Sequence, residues 1–475
     1  MLRKIAAAAV LLAVLAIQGE AASPEAVKLK GEGLKNFNAY EMDGSFYTVP
    51  AVLARGNKWK VSWDSGKLYA CLVPQGLTEE EKVEIPFQEI NGQKYVDISY
   101  FGQPAGLEYD YKEKKKELAI KVRKEKKGKP SSKKDEAKPL MPLVLWDVED
   151  LFDPETSGFM KLTGQHILSP SAGSYKDFEE NRYHWNFDYL KQMKNGGVEV
   201  MPLVHNDFDV EETSRFMHDA KKQKAFISQI AALAEVYGLY GYNMDFENMD
   251  PKDKELYTAF MGNLALPLHA AGKKLTVDIT VYNAGSPYWS LCYDREKLAD
   301  FCDYEIVMGY DETPRISDSA GSVSSFGWLE QNIKKLATMV PEEKLILGLP
   351  FYTRIYSGNR GHVKSRVLTM KNEESLVQKI HGHPVWDEKA RQYVLSWKEG
   401  GIPSKVYLEE GKSMAAKMEL LSQYGLSGLA FWRHGFEKYD VYRAMEGKLR
   451  HDEIKKADVP KADSHKSNEA AGARC

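Results

Sequence analysis

The sequence has little of what most often gives a function away. Four cysteines in 475 residues (Cys71, Cys292, Cys302 and Cys475) show neither metal-ligand nor redox spacing. Cys292 and Cys302 read equally as a pair or as two buried small hydrophobes, and no structural disulfide is expected. Neither sign of charge is in excess: 65 Lys+Arg against 68 Asp+Glu give a formal net charge of -3. Bulk charge therefore argues for neither nucleic acid nor a membrane surface. Beyond the N-terminal run no apolar stretch is long enough to cross a bilayer. There is no Gly-x-Ser-x-Gly elbow and no phosphate-cradling glycine loop. His381-Gly-His383 lacks the third ligand that a metal site needs. No metal and no cofactor are expected.

What is present first is a leader. Met1-Leu-Arg-Lys4, an apolar run from Ile5 to Ile17 and small residues around Gly19-Glu-Ala21 have the layout of a secretory signal over 1–22. No cysteine follows it that would suggest a lipid anchor, so a secreted, extracellular protein is expected, with cell-wall association as a further possibility. Residues 123–141 are rich in Lys, Ser, Gly and Pro with no aromatic residue until the next domain, and read as a solvated charged linker. Residues 451–475 read as a disordered tail.

Before the linker, a β-type pattern occurs twice. Phe46–Pro50, Trp59–Asp64 and Lys67–Leu72 are answered by Lys94–Ile98, Leu107–Asp110 and Glu117–Val122 at nearly equal spacing. Residues 30–122 so arranged resemble the small duplicated domain named after the N-terminal region of copper amine oxidases. The resemblance implies an attachment or spacer role without copper chemistry, since no histidine cluster occurs there.

From 142 to 450, short apolar runs alternate with longer helical patterns. The runs are Leu143–Trp146, His166–Ser169, Glu199–Val204, Gly241–Glu247, Lys274–Thr280, Tyr304–Tyr310, Lys344–Pro350 and Gly428–Trp432. Phe226, Ile230, Leu233 and Tyr237, then Leu256, Phe260, Leu264 and Leu268, recur near the helical period. Eight such alternations predict an α/β protein built on a closed (β/α)8 TIM barrel, whose working groups sit at the carboxyl ends of the strands.

The most informative stretch is Gly241-Tyr-Asn-Met-Asp-Phe-Glu-Asn248. Strand periodicity puts Asn243, Asp245 and Glu247 on one face and Met244 and Phe246 on the other. Polar groups on an apolar strand are costly unless something pairs or uses them. Two carboxylates two residues apart suit a proton donor beside a group that orients the reacting atoms; a salt-bridged strand end is the bland alternative. Trp146-Asp147, His205-Asn206-Asp207, Tyr310-Asp311-Glu312 and Trp432-Arg433 end other expected strands. Together they describe a cleft that stacks sugar rings and hydrogen-bonds hydroxyls, although Trp432 taken alone reads as core.

Residues 142–450 resemble glycoside hydrolase family 18, especially its bacterial branch of peptidoglycan and spore-cortex N-acetylglucosaminidases. The resembling stretches are His205–Asp209, Gly241–Asn248, Ser286–Asp294, Val307–Glu312, Leu347–Arg354 and the Trp432 strand. Residues 360–410 resemble the small α+β insertion that many members carry between strands 7 and 8. The resemblance implies substrate-assisted hydrolysis. In that scheme Glu247 is the acid, Asp245 orients the acetamido group, Tyr310 hydrogen-bonds its oxygen and Trp432 lies under the ring. Asn243, Asp311, Asn206 and Trp146 are the further candidate substrate-binding residues, and Asn243 is expected to bond Asp245. The departures are Tyr240 where the family often has Asp, and Leu203-Val-His-Asn206 where chitinases often have Ser-x-Gly-Gly. Gly309 and Thr313 likewise stand where Thr and His are usual. The expected partner is an N-acetylglucosamine polysaccharide, peptidoglycan or chitin. The alternatives are a chitinase or chitooligosaccharide hydrolase, and a non-catalytic glycan-binding protein.

Overall fold

The N-terminal region folds as two copies of one plan, hairpin, helical turn, hairpin. The first copy pairs Ala39–Met42 with Ser45–Thr48, turns through Pro50–Gly56, and pairs Lys60–Asp64 with Lys67–Leu72. The second pairs Gln88–Ile90 with Gln93–Asp97, turns through Ile98–Phe101, and pairs Leu107–Lys112 with Glu117–Val122. Three of these hairpins close through Asp43-Gly44, Ser65-Gly66 and Asn91-Gly92, each with both residues at positive φ. That is the turn whose twist matches paired strands. The helical turns were not expected from the strand pattern. The second exists because Asp97, 3% exposed, accepts the backbone N–H groups of Ser99 and Tyr100 through Oδ1. This computed structural model describes residues 23–31, 34, 37–56, 58–123, 140–359 and 361–457. The expected leader, residues 124–139 of the expected linker and residues 458–475 of the expected tail lie outside them, whereas residues 451–457, expected as disordered tail, continue the helix Tyr439–Ala457.

The barrel strands, in chain order, are β1 (Pro142–Asp147), β2 (Gln165–Ser174), β3 (Leu203–His205), β4 (Gly241–Asp245), β5 (Lys274–Thr280), β6 (Tyr304–Met308), β7 (Leu345–Pro350) and β8 (Gly428–Trp432). Their order is β1-β8-β7-β6-β5-β4-β3-β2 with β1 also paired to β2, so the (β/α)8 barrel expected from the sequence is the fold observed. Strands such as β4 and β7 are buried at every residue, as continuous apolar runs in parallel sheets must be. Several boundaries differ from expectation, β2 among them, which runs on to Ser174 where Ser169 was expected. Pro202 has no N–H to give a ladder, and the run 199–204 splits into Glu199–Val200 and β3. β4 stops at Asp245 and β6 at Met308, so Glu247 and Tyr310 lie on the loops just beyond. Gly241 is fixed by packing: a Cβ there would sit 1.9 Å from the Lys274 carbonyl oxygen on β5.

The described chain forms two compact units. One holds the N-terminal region with residues 168–279 and 283–305; the other holds 140–167, 280–282 and 306 onward. In the first, helices α1 (Phe187–Asn195), α2 (Ala220–Val236) and α3 (Lys254–Ala270) cover β2 to β5. Phe226, Ile230, Leu233, Phe260, Leu264 and Leu268 are buried as their spacing predicts. Leu256 is a miss: it is 36% exposed, and Tyr257, one position on, is the buried residue of that turn. Cys71, Cys292 and Cys302 are buried, and no disulfide joins Cys292 to Cys302.

In the second unit an antiparallel sheet is inserted between β7 and β8. Its strands are Tyr352–Asn359, His362–Thr369, Val385–Asp387, Gln392–Glu399 and Ile402–Leu408. The sheet begins at Tyr352, ahead of the expected start near 360, because the chain leaves β7 directly into an antiparallel ladder with 362–369. Ile355, Leu368, Leu395, Val406 and Leu408 form its core. Among the described residues no helix is long and apolar enough to cross a membrane.

The duplicated region is seated on α1 and α2. Lys191 on α1 meets Asp97 at 2.6 Å, Lys194 donates to the Tyr100 carbonyl at 2.9 Å, and the Tyr100 hydroxyl donates to the Tyr237 carbonyl at 2.9 Å. Phe101 stacks on Phe187 with ring centroids 5.3 Å apart. Removing one partner of a buried ion pair strands the other charge, at roughly 3 kcal/mol. Lys191→Met is therefore expected to lower stability by about 2–3 kcal/mol, somewhat discounted because the lysine is partly exposed. Urea unfolding of the two proteins checks this.

Candidate active site

In the first unit the carboxyl end of β4 carries a chain of buried polar groups. Asn243, wholly buried, donates its two amide hydrogens to Thr276 Oγ1 at 3.0 Å and to Asp278 Oδ1 at 2.8 Å, both on β5. Its Oδ1 accepts the Ser169 hydroxyl at 3.4 Å. The expected N–H bond from Asn243 to Asp245 is thus replaced by bonds to β5, because both amide hydrogens are taken there. Asn243 is also wholly enclosed by the barrel wall. Asp245 is 8% exposed, and its Oδ1 has no hydrogen-bond partner.

Glu247 is half-buried on the loop and is held through its backbone by Asn206. Asn206 Oδ1 accepts the Glu247 N–H at 3.0 Å, while Nδ2 donates to the Glu247 carbonyl at 2.7 Å and to Thr213 Oγ1 at 3.0 Å. Asn206 was expected to touch substrate. Its side chain is wholly buried with every hydrogen of its amide engaged, so its place is behind Glu247. The same loop is tied on its far side. Tyr293 donates to the Phe246 carbonyl at 2.8 Å, and the Met249 N–H donates to the Tyr288 carbonyl at 2.9 Å. Asn248, at φ +53°, donates to the Phe208 carbonyl at 2.8 Å.

In this half the sequence reading gave Asp278 no role, and it took in Phe208 and Trp289 only as parts of resembling stretches. Asp278 interrupts the apolar run Leu275-Thr-Val-Asp-Ile279, and its period-two relation to Thr276 was the available signal. Phe208 and Trp289, 49% and 41% exposed, bring their rings to 5.9 Å. They come from loops on either side of β4, a pairing that sequence distance hides.

The second unit carries the aromatic residues. Trp146 is wholly buried and packs against half-buried Trp432, ring centroids 5.6 Å apart. Trp146, expected as a substrate contact, instead backs Trp432: with no exposed surface it cannot stack a sugar. The Trp432-Arg433 peptide is cis, and Arg433 Nη2 meets Glu149 at 2.6 Å. Tyr310 is half-buried with its ring 6.2 Å from that of Tyr352. Asp311, at φ +60°, accepts the Tyr352 hydroxyl at 2.8 Å and lies 3.4 Å from Arg354 Nη2. Tyr352 and Arg354 had been noticed only as part of a resembling stretch.

Burial dominates the electrostatics of the carboxylates. Desolvation pushes the Asp245 carboxyl up from 3.8 to about 7. Asp278 is pushed well above the carboxylate range by desolvation and then by the Asp245 charge, against the opposing bond from Asn243. In the unfolded chain Asp245 ionises near 3.8, so between that value and about 7 the folded protein holds the extra proton. Stability then falls as pH rises through this window. Asp245→Asn, which cannot ionise, is expected to gain on the wild type by about 3 kcal/mol between pH ~4 and ~7, at roughly 1.4 kcal/mol per pH unit. Denaturant unfolding across that range reads the difference.

The Bacillus subtilis (strain 168) protein named uncharacterized glycosylase YvbX is 27% identical over 304 residues, which is 61% of this chain and 88% of that protein. The cortical fragment-lytic enzyme of Bacillus anthracis is 23% identical over 241 residues; the match takes in 50% of this chain and 56% of that enzyme's length. The crystal structure of a chitinase from Chromobacterium violaceum ATCC 12472 shares the fold, with a TM-score of 0.58 at 20% identity over 65% of this chain and 99% of that one. The family model of glycosyl hydrolases family 18 matches residues 156–437, more than half of the sequence. The chain belongs to the glycosyl hydrolases family 18 and is a glycosidase.

Proposed function

We propose that this glycosidase is exported and cleaves β-linked N-acetylglucosamine glycans, peptidoglycan first among them, with net retention and with the substrate's own acetamido group as nucleophile. The observation that carries this reading is the arrangement at the end of β4: a buried Asp245 with an open oxygen, two residues before a half-buried Glu247 whose backbone is clamped by Asn206. Glu247 gives its proton to the departing glycosidic oxygen. The acetamido carbonyl oxygen attacks the anomeric carbon of the same sugar, forming an oxazolinium ion. Asp245 accepts the acetamido N–H and faces the positive charge that develops. Tyr310 hydrogen-bonds the acetamido oxygen, and Trp432, braced by Trp146, lies under the ring. Water then gives a proton to Glu247 and opens the intermediate, which restores the acid.

The preference for peptidoglycan is supported by the likeness to an enzyme named for spore-cortex fragments and by the leader read in the sequence. Chitooligosaccharides are the competing substrate, since the chemistry is the same. Purified protein tested on isolated peptidoglycan and on chitooligosaccharides, with product masses, separates them. Release of muropeptides terminating in N-acetylglucosamine is expected; cleavage of chitooligosaccharides alone would overturn the preference.

Glu247→Gln is expected to lower kcat by about 10²–10⁴-fold while retaining ligand binding, because only the proton donor is lost. Persistent turnover would overturn the mechanism. Asn206→Ala frees the Glu247 backbone and is expected to lower kcat about 10- to 100-fold with KM little changed, since misplacement of a reacting group by about 1 Å has that effect. Steady-state kinetics on the better substrate reads both.

A further inference from the structure

We propose that Asp278 is a positioning residue for hydrolysis: it holds the single proton of a two-carboxylate pair and donates it as a hydrogen bond to Asp245, which therefore meets the substrate as an anion. The inference rests on the reading of Asp245 given above and assigns a role to a residue outside the β4 motif.

The placement follows from register. β4 and β5 pair with Asn243 beside Thr276 and Met244 beside Val277. The next step puts Asp245 beside Asp278, on the same interior face, at a parallel-strand spacing of about 4.8 Å. Both residues are buried, at 8% and 1% exposure, where two adjacent carboxylates cannot both be charged. The Asn243 amide decides which atom does what. Its N–H, at 2.8 Å, makes Asp278 Oδ1 an acceptor, so the proton of Asp278 sits on Oδ2. Asp245 Oδ1 has no other hydrogen-bond partner.

This also accounts for an amide at 243. A carboxylate there would face Asp278 with no hydrogen to give, adding a third acid to the cluster. The amide instead spans Ser169, Thr276 and Asp278. The other titratable groups around the pair in this unit are His205, in register with Asp245 on β3, Glu247, Tyr257 and Tyr293. His205 Nδ1 is directed at Asp207 Oδ1, 3.2 Å away. Its Nδ1 accepts the Asp207 N–H at 3.3 Å, and Asp278 is the neighbour of Asp245 along the interior face of β5.

Two measurements test the assignment. In the first, pH profiles of kcat and KM on a chitooligosaccharide are compared for wild type, Asp278→Ala and Asp278→Asn. The alanine variant is expected to lose 10- to 100-fold in kcat with KM within threefold, and its acid limb is expected to move to higher pH, because the Asp245 anion has lost its donor. Asparagine retains an N–H toward Asp245 and is expected to restore kcat to within threefold of wild type. Wild-type kcat and acid limb in the alanine variant, or an asparagine variant impaired more than tenfold, would overturn the proposal. If the alanine variant fails to fold, the asparagine variant decides. In the second, carbon-13 NMR of aspartate carboxyls in the full-length protein at pH 9, above the ionisation of Asp245, is expected to show one neutral carboxyl that disappears in Asp278→Asn. A spectrum in which that substitution removes an ionised carboxyl overturns the assignment whether or not the protein turns over glycans. Absence of turnover in the wild type, by contrast, counts only against the substrate reading.

Discussion

The carboxylate half of the site depends on one constraint: a polar stripe runs through the barrel wall where water does not reach. Ser169, Asn243, Thr276 and Asp278 are at most 1% exposed, so each must find its partners on the neighbouring strands. The bonds from Asn243 to β5 and from Ser169 to Asn243 knit β2, β4 and β5 together and fix which way the amide points. The close approach of β4 to β5 at Gly241 keeps those strands in the register the bonds require. Asp245 stands at the end of this stripe with an acceptor left over. A stripe in which Ser169, Asn243, Thr276 and Asp278 are bonded to one another leaves the Asp245 carboxylate to face charge that develops during reaction.

Glu247 is held by a different device. It lies past the end of β4, where no ladder fixes it, and the Asn206 amide supplies the missing ladder from β3 by bonding both the N–H and the carbonyl of the same residue. The strain needed to shape these loops is local. Asp207, Phe208, Asn248 and Asp311 are left-handed and all follow strand ends. Asp245 is thus positioned by a strand, and Glu247 by a loop clamped from two sides.

The sequence made the barrel readable because buried parallel strands are continuous apolar runs separated by helical patterns, and that survives without any long-range information. The β4 motif was readable for the same reason: polar residues spaced by two on an apolar strand demand explanation. What was not readable depends on neighbours distant in the chain. Asn206 looked like a ligand because a polar residue just past a strand usually faces the cleft, yet its partner is a backbone 41 positions away. Trp146 looked like a platform because it ends a strand, and only its contact with Trp432 shows which of the two is exposed. Asp278 is a single acid in an apolar run, and nothing local says whether it pairs with β4, with β6 or with solvent. Leu256 and Tyr257 differ by one position in helical phase, which periodicity alone does not resolve when both are apolar.

The duplicated N-terminal region shows how a linker can mislead. A charged segment between two folded stretches suggests a tethered appendage. The side chains on its barrel-facing surface say otherwise. Tyr100, Phe101 and Trp59 join Phe187, Trp185 and Tyr237 in a chain of edge-to-face and stacked rings with centroids between 4.9 and 6.4 Å. Aromatic clusters of this size bury hundreds of square ångströms of apolar surface, of order several kcal/mol. Helix α1 could not present Phe187 and the stems of Lys191 and Lys194 to water without losing that burial. The region is therefore part of the core of its unit. Its packing stabilises the scaffold that carries β3 and β4.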